Sequence, residues 1–233
     1  MPVTGSAGAA GSGELPDGLP EGAVPWLHDL GRTIGRHLYR PAYRLRVAGM
    51  ERVPRTGPVV LVANHSTMIE PQLLFGLVPR RSVFLVKDEM FDAATGPWLR
   101  RLGQVPVTRG APDRTALTTA TGVLSRGGLV GVFPEGTRGA GEVTSAHHGA
   151  AWLVRNSGAL VQPVAVRGTL RPPDRQRRRL RPAVDVVAGE PFTLEVGRGR
   201  SGLADATEHI RGTLAELVSR VDETRHSDRE EKQ

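Results

Sequence analysis

Two hydrophobic rhythms alternate along most of the chain. Short runs rich in valine and leucine at 45–47, 59–62, 83–86, 105–107, 129–133, 161–166 and 184–187 predict strands. Several are almost continuously apolar, as strands covered on both faces must be. Stretches at 71–77, 113–124, 150–156 and 203–221 predict helices, and in the last of these Ile210, Leu214, Leu217 and Val221 share one face. The alternation predicts an α/β fold, a single domain whose mixed, mostly parallel sheet is flanked by helices. No internal repeat is visible.

Ahead of the first strand, Trp26, Leu27, Leu30, Ile34 and Leu38 recur at helical spacing. Arg32, Arg36, His37 and Arg40 lie among them, and Pro41 ends the run. This predicts an N-terminal amphipathic helix with a basic face. Such a helix can lie on an anionic membrane surface or pack on its own domain, and the pattern leaves both open. Residues 1–24 are mostly Gly, Ala, Ser and Pro. They carry too little apolar surface to offset their ordering entropy and are expected to form a disordered tail. They lack the basic start and apolar run of a secretory signal. The domain is expected over 25–226, with a charged tail at 227–233.

Composition narrows the picture. No apolar run approaches the roughly 18–20 residues that span a bilayer. The chain of 233 residues has no cysteine, which excludes disulfides and thiolate chemistry and suits a cytoplasmic location without requiring it. A formal charge of +7, carried mainly by arginine, favours anionic partners: phosphate esters, acidic lipid headgroups or nucleic acid. Arg171, Arg175, Arg177, Arg178, Arg179 and Arg181 crowd a proline-bounded loop. That loop reads equally as a solvated basic segment or as a site for acidic lipid heads or an acidic carrier protein. Aromatic residues make up 4% of the chain and none lies in this loop to stack on bases, which argues against nucleic acid.

Two segments carry candidate chemistry. The strand at 59–62 runs into Ala63-Asn64-His65-Ser66-Thr67-Met68-Ile69-Glu70-Pro71. Imidazole titrates near neutrality and can deprotonate a hydroxyl, and a carboxylate on its other nitrogen would fix the tautomer. Taken alone, a histidine at a strand end is structural as often as catalytic. The strand at 129–132 ends in Phe133-Pro134-Glu135-Gly136-Thr137-Arg138-Gly139. Its glycines allow close backbone approach, Arg138 can take a phosphate through two hydrogen bonds, and Glu135 can hold that arginine or a substrate hydroxyl. A tight turn with a solvated ion pair would explain the glycines but not the whole run.

Together these segments resemble the glycerolipid acyltransferase family, which includes bacterial 1-acyl-glycerol-3-phosphate acyltransferases. Its first block corresponds to Asn64, His65 and Glu70. Its second runs from Lys87-Asp88-Glu89-Met90 through Gly96, Trp98 and Gly103 to Val107-Thr108-Arg109. The third is Phe133 to Arg138 and the fourth Val161-Gln162-Pro163-Val164-Ala165-Val166. Val47 to Pro54 is similar to the family's entry segment, so the resemblance spans roughly residues 43–191.

The resemblance implies transfer of a fatty acyl group to the hydroxyl of a lysophosphatidate-like acceptor. The donor would be acyl-CoA or acyl-carrier protein, with no cofactor, no metal and no covalent enzyme intermediate. His65 would be the general base, with Glu70 as its partner. Asn64, Arg109, Glu135, Gly136, Thr137 and Arg138 would form the acceptor site, the two arginines on its phosphate. The fourth block would be a buried strand beside the donor. The enzyme would sit peripherally on the cytoplasmic face of an anionic membrane.

Two departures leave alternatives open. The family's Asp is Glu70 here, one methylene longer, so the imidazole shifts unless the loop compensates. Many relatives have a lysine where His148 precedes Gly149, and its loss weakens the case for a phosphorylated acceptor. The same transfer to a different acceptor, or an inactive lipid-binding homologue, therefore remain alternatives. His147 and His148 diverge as neighbours and have no accompanying carboxylate or cysteine cluster, which argues against a metal. The glycines from Gly197 to Gly202 match dinucleotide-site spacing but lack a following βαβ unit, and no phosphate loop or serine elbow is present.

Overall fold

The computed structural model describes residues 18–108, 113–136, 138–170 and 181–230. In chain order the elements are α1 (Pro25–Leu38), β1 (Arg44–Ala48), β2 (Val59–Ala63), α2 (Ile69–Leu77), β3 (Val83–Lys87), α3 (Glu89–Asp92) and α4 (Gly96–Arg101). They continue with β4 (Val105–Val107), α5 (Arg114–Ser125), β5 (Leu129–Val132), α6 (Gly149–Ser157), β6 (Leu160–Arg167), β7 (Ala183–Ala188) and α7 (Gly199–Glu230). The strands form one sheet in the order β1-β7-β6-β2-β5-β3-β4. Every pairing is parallel except β6 with β7, which gives the mixed, mostly parallel sheet that the alternation predicts.

β2 shows why the sheet organises the core. All five of its residues are buried, as the central position requires. Val60 and Val62 face α5, α6 and the start of α7, whereas Val59, Leu61 and Ala63 face α2. β5 and β6 flank β2 in parallel, so the carboxyl ends of the three strands lie side by side. In parallel sheets ligand sites form at that edge.

α7 continues to Glu230, past the apolar periodicity and through the start of the charged tail expected from 227. Ion pairs supply what apolar residues do not. Asp222 receives Arg167, Arg225 pairs with the buried Asp185 of β7, and Asp228 pairs with Arg46 of β1. At the other end, Leu19 is buried against the core and its carbonyl accepts from Arg126 at 2.8 Å. The packed structure thus begins ahead of the boundary expected at residue 25, whereas 1–17 lie outside the described residues, as do Arg109, Thr137, 171–180 and 231–233.

α1 packs through its polar face. Asp29 pairs with Arg81 at 2.7 Å, and Arg32 and Arg36 donate to the carbonyls of Val78 and Gly76. Trp26, Leu30, Ile34 and Leu38 are exposed, as is Trp98 on α4. No described helix is long and apolar enough to cross a membrane.

The fully buried His28 pins α1 to the domain. Its Nδ1 lies 2.7 Å from the Leu102 carbonyl, and its Nε2 lies 3.4 Å from the Ser82 amide. A carbonyl only accepts and an amide N–H only donates, so the neutral Nδ1–H tautomer is the one that satisfies both. Burial pushes its pKa from 6.5 down to about 4, against the pull of the Leu102 carbonyl. The unfolded chain therefore takes up this proton first as pH falls. The stabilisation is complete above pH 6.5 and is lost as pH falls towards about 4. Denaturant melts should show a loss of about 2 kcal/mol between pH 7 and pH 5 that His28→Asn lacks.

Candidate active site

β2 ends beneath the loop that carries the candidate base, and a side chain prolongs the sheet there. The buried Asn64 amide donates to the Val166 carbonyl at 2.9 Å, and its oxygen accepts the Val166 N–H at 2.7 Å. Asn64 thereby ties the loop to β6 as a backbone rung would.

His65 follows, 7% exposed, with its ring 4.5 Å from that of Phe133. Its Nδ1 donates to Glu70 Oε2 at 3.0 Å, and Nε2 makes no hydrogen bond to another described residue. A carboxylate can only accept, so in the neutral ring Nε2 carries the lone pair.

The extra methylene of Glu70 has a structural use. Thr67-Met68-Ile69-Glu70 has the spacing of a capping box at the start of α2. Glu70 Oε2 reaches back to the Thr67 N–H at 2.7 Å, and the Thr67 hydroxyl accepts the Ile69 N–H at 3.3 Å. Oε2 also takes the Ser66 N–H at 2.9 Å, while Oε1 takes the hydroxyls of Thr67 at 3.2 Å and Thr169 at 2.5 Å. The fully buried carboxylate therefore holds His65 and starts the helix at once.

The other segment closes over this one. Glu135 Oε1 accepts the His65 N–H at 2.7 Å, and the Gly139 N–H donates to the His65 carbonyl at 3.0 Å. Burial raises the Glu135 pKa, and the hydrogen bond from His65 opposes that rise. The expectation that Glu135 holds Arg138 is therefore corrected: this carboxylate clamps the backbone of His65. Its geometry follows from burial, since an ionised oxygen under the loop needs the amide that lies there. At Gly141 a Cβ would come within 2.3 Å of the Ser66 hydroxyl, which explains the glycine at this crossing.

α7 supports the crossing. Arg167, bonded to Asp222, also donates to the carbonyls of Ala140 at 2.9 Å and Gly141 at 3.3 Å. Arg211 reaches Val143 O at 3.0 Å. Val143 is fully buried with φ of +54°, a conformation that strains a β-branched residue. Its carbonyl is held by Arg211.

Among the residues expected in the site, His65, Glu70, Asn64 and Glu135 are brought together, and Gly136 lies against the ring of His147. Arg138 is exposed and makes no hydrogen bond or ion pair to another described residue, so its guanidinium is open to a ligand. Arg109 and Thr137 lie outside the described residues. His148 points its Nδ1 at the Thr207 hydroxyl of α7, at 2.9 Å. Sequence reasoning missed Thr67, Arg167 and Thr169. The capping-box spacing marks Thr67, but nothing local marks the other two.

Residues 44–167 match the profile of the Acyltransferase family. The 1-acyl-sn-glycerol-3-phosphate acyltransferase of Bacillus subtilis (strain 168) is 25% identical over 77% of this chain and 90% of its own length. The lyso-ornithine lipid O-acyltransferase of Pseudomonas aeruginosa is 33% identical over 53% of this chain and 47% of its own. Among solved structures, the 1-acyl-sn-glycerophosphate acyltransferase PlsC of Thermotoga maritima superposes with a TM-score of 0.65. That match covers 84% of this chain and 79% of the other at 23% identity, and shows the shared fold.

Proposed function

The chain belongs to the acyltransferase family, and from that premise we propose that it transfers a fatty acyl group from acyl-CoA or acyl-carrier protein to the hydroxyl of a lysophosphatidate-like glycerolipid. The observation that carries this reading is the His65–Glu70 pair, with Nδ1 held by a carboxylate and Nε2 unbonded to any other described residue. Nε2 takes the acceptor hydroxyl proton as the oxygen attacks the thioester carbonyl carbon. Glu70 stabilises the imidazolium that forms. The tetrahedral intermediate collapses by breaking the C–S bond, and the imidazolium returns its proton to the departing thiolate. Each proton moves through one nitrogen, so the step needs neither a metal nor a covalent enzyme intermediate.

Arg138 is assigned to the acceptor's phosphate, because it is the exposed guanidinium beside the loop that clamps His65. Asn64 and Glu135 are assigned to positioning. The exposed stripe of Trp26, Leu30, Ile34 and Leu38 supports peripheral attachment to the cytoplasmic face of an anionic membrane, where Arg40 and the basic surface would meet acidic headgroups.

One observation favours a second acceptor. His148 stands where many relatives carry a lysine and is engaged with Thr207, so no fixed cation is supplied there. A phosphate-free lysolipid, of the kind named for the Pseudomonas relative, fits that change. Labelled acyl-CoA and acyl-carrier protein, each offered with lysophosphatidate or lyso-ornithine lipid in anionic vesicles, test both readings. Acylated lysophosphatidate is the expected product. Product with lyso-ornithine lipid alone would move the assignment to the second acceptor, and no product with any pair would overturn the enzymatic reading.

A further inference from the structure

Thr169 lies 99 residues from Glu70 in sequence, just beyond the end of β6, and its hydroxyl reaches the buried carboxylate. The turn that brings it there is specific. Gly168 has φ of +93°, and a Cβ on it would lie 2.3 Å from the Ala183 carbonyl, beside the Arg225 guanidinium. Only a residue without a Cβ fits easily between β6 and β7 in that conformation. The chain then turns inward at Thr169 and outward again at Leu170, which is exposed.

The donors on Glu70 divide unequally. Oε2 is fixed by the His65 imidazole and two rigid backbone N–H groups, those of Ser66 and Thr67. Oε1 receives only hydroxyls, Thr67 at 3.2 Å and Thr169 at 2.5 Å. Thr169 is thus the shorter bond to the oxygen that sets the rotation of the carboxylate plane. A glutamate has one more rotatable bond than the aspartate of the resembled family, and so more freedom to swing Oε2 away from His65. We propose that Thr169 is a positioning residue for this catalytic pair, its hydroxyl locking the longer carboxylate in the rotamer that holds His65 Nδ1. This rests on the assignment of His65 as general base and adds a specific requirement of this chain: glutamate at position 70 works because a hydroxyl at 169 fixes its far oxygen.

The test uses the full-length protein and steady-state acyl transfer. Thr169→Val keeps the shape and removes the hydroxyl. It should lower kcat about tenfold while both KM values stay within about twofold, and Thr169→Ser should restore kcat. Glu70→Asp withdraws the carboxylate from Thr169, so Thr169→Val should add no further loss in that background. Unchanged kcat in Thr169→Val overturns the proposal. So does an equal loss in both backgrounds, because Thr169 would then act on the fold rather than through Glu70. If Glu70→Asp turns over too slowly to read, the downfield Nδ1–H resonance of His65, assigned by its absence in His65→Ala, decides. Its displacement in Thr169→Val supports the lock, and an unmoved resonance sinks it. Activity retained in His65→Ala would instead remove the base assignment beneath, an outcome distinct from any of these.

Discussion

His65→Ala is expected to reduce kcat/KM by roughly 10²–10⁴-fold while leaving the fold and acceptor binding largely intact. Neither carboxylate beside the ring can substitute as base. Glu70 is fully buried behind the ring, and Glu135 spends its nearer oxygen on the His65 backbone N–H. That backbone bond survives the substitution, as does the one between the residue-65 carbonyl and the Gly139 N–H. The buried Glu70 keeps four of its five donors. Circular dichroism and thermal melting should therefore stay close to those of the unsubstituted protein. Substantial turnover in a well-folded His65→Ala protein would exclude the imidazole as base.

Glu70→Gln should cost roughly as much in turnover, 10²–10⁴-fold, for a different reason. The amide supplies one acceptor oxygen where the carboxylate supplies two, and its NH₂ must face a donor. Thr67 and Thr169 can rotate their hydroxyls to accept, but the Ser66 and Thr67 amides cannot. The amide oxygen is therefore held on the Oε2 side, and His65 keeps its hydrogen bond without a negative charge to stabilise the imidazolium. The capping box weakens as well, so this variant should also melt earlier, by an amount consistent with roughly 0.5–2 kcal/mol for a helix cap. Together, slow turnover and a lowered Tm distinguish it from His65→Ala. A Glu70→Gln protein with normal kcat would show that the carboxylate only builds the loop.

The sheet was legible because its strands announce themselves locally. β2, β5 and β6 are short apolar runs rich in valine, and the centre of a parallel sheet leaves such runs no other place. α3 and α4 were not legible, since helices of four and six residues show no period. The far end of α7 escaped too: Asp222, Arg225 and Asp228 read as a solvated charge run until their partners on β1, β6 and β7 are known.

The candidate site divides the same way. His65 and Glu70 lie within one loop, and their spacing is itself a signal. Glu135 was found but given the wrong partner, because an acid three residues from Arg138 suggests an ion pair. Its actual partner is a backbone amide 70 residues upstream, and backbone amides leave no trace in a residue pattern. Thr169 was missed altogether because a threonine after a strand has many ordinary uses.

The ion pairs that seat α7 also bear on the order in which the protein becomes functional as it is made. His65, Glu70 and Glu135 all leave the ribosome within the first two thirds of the chain. Arg167, which holds the carbonyls of Ala140 and Gly141, finds its carboxylate partner at Asp222, whereas the buried Asp185 has Arg46 of β1 beside it at 3.6 Å before Arg225 is made. A nascent chain can thus bring His65 and Glu70 together early, while Arg167 holds the loop above them without its carboxylate partner. The bracing of that loop therefore comes later than the His65–Glu70 pairing, with the stretch of α7 that carries Arg211 and Asp222.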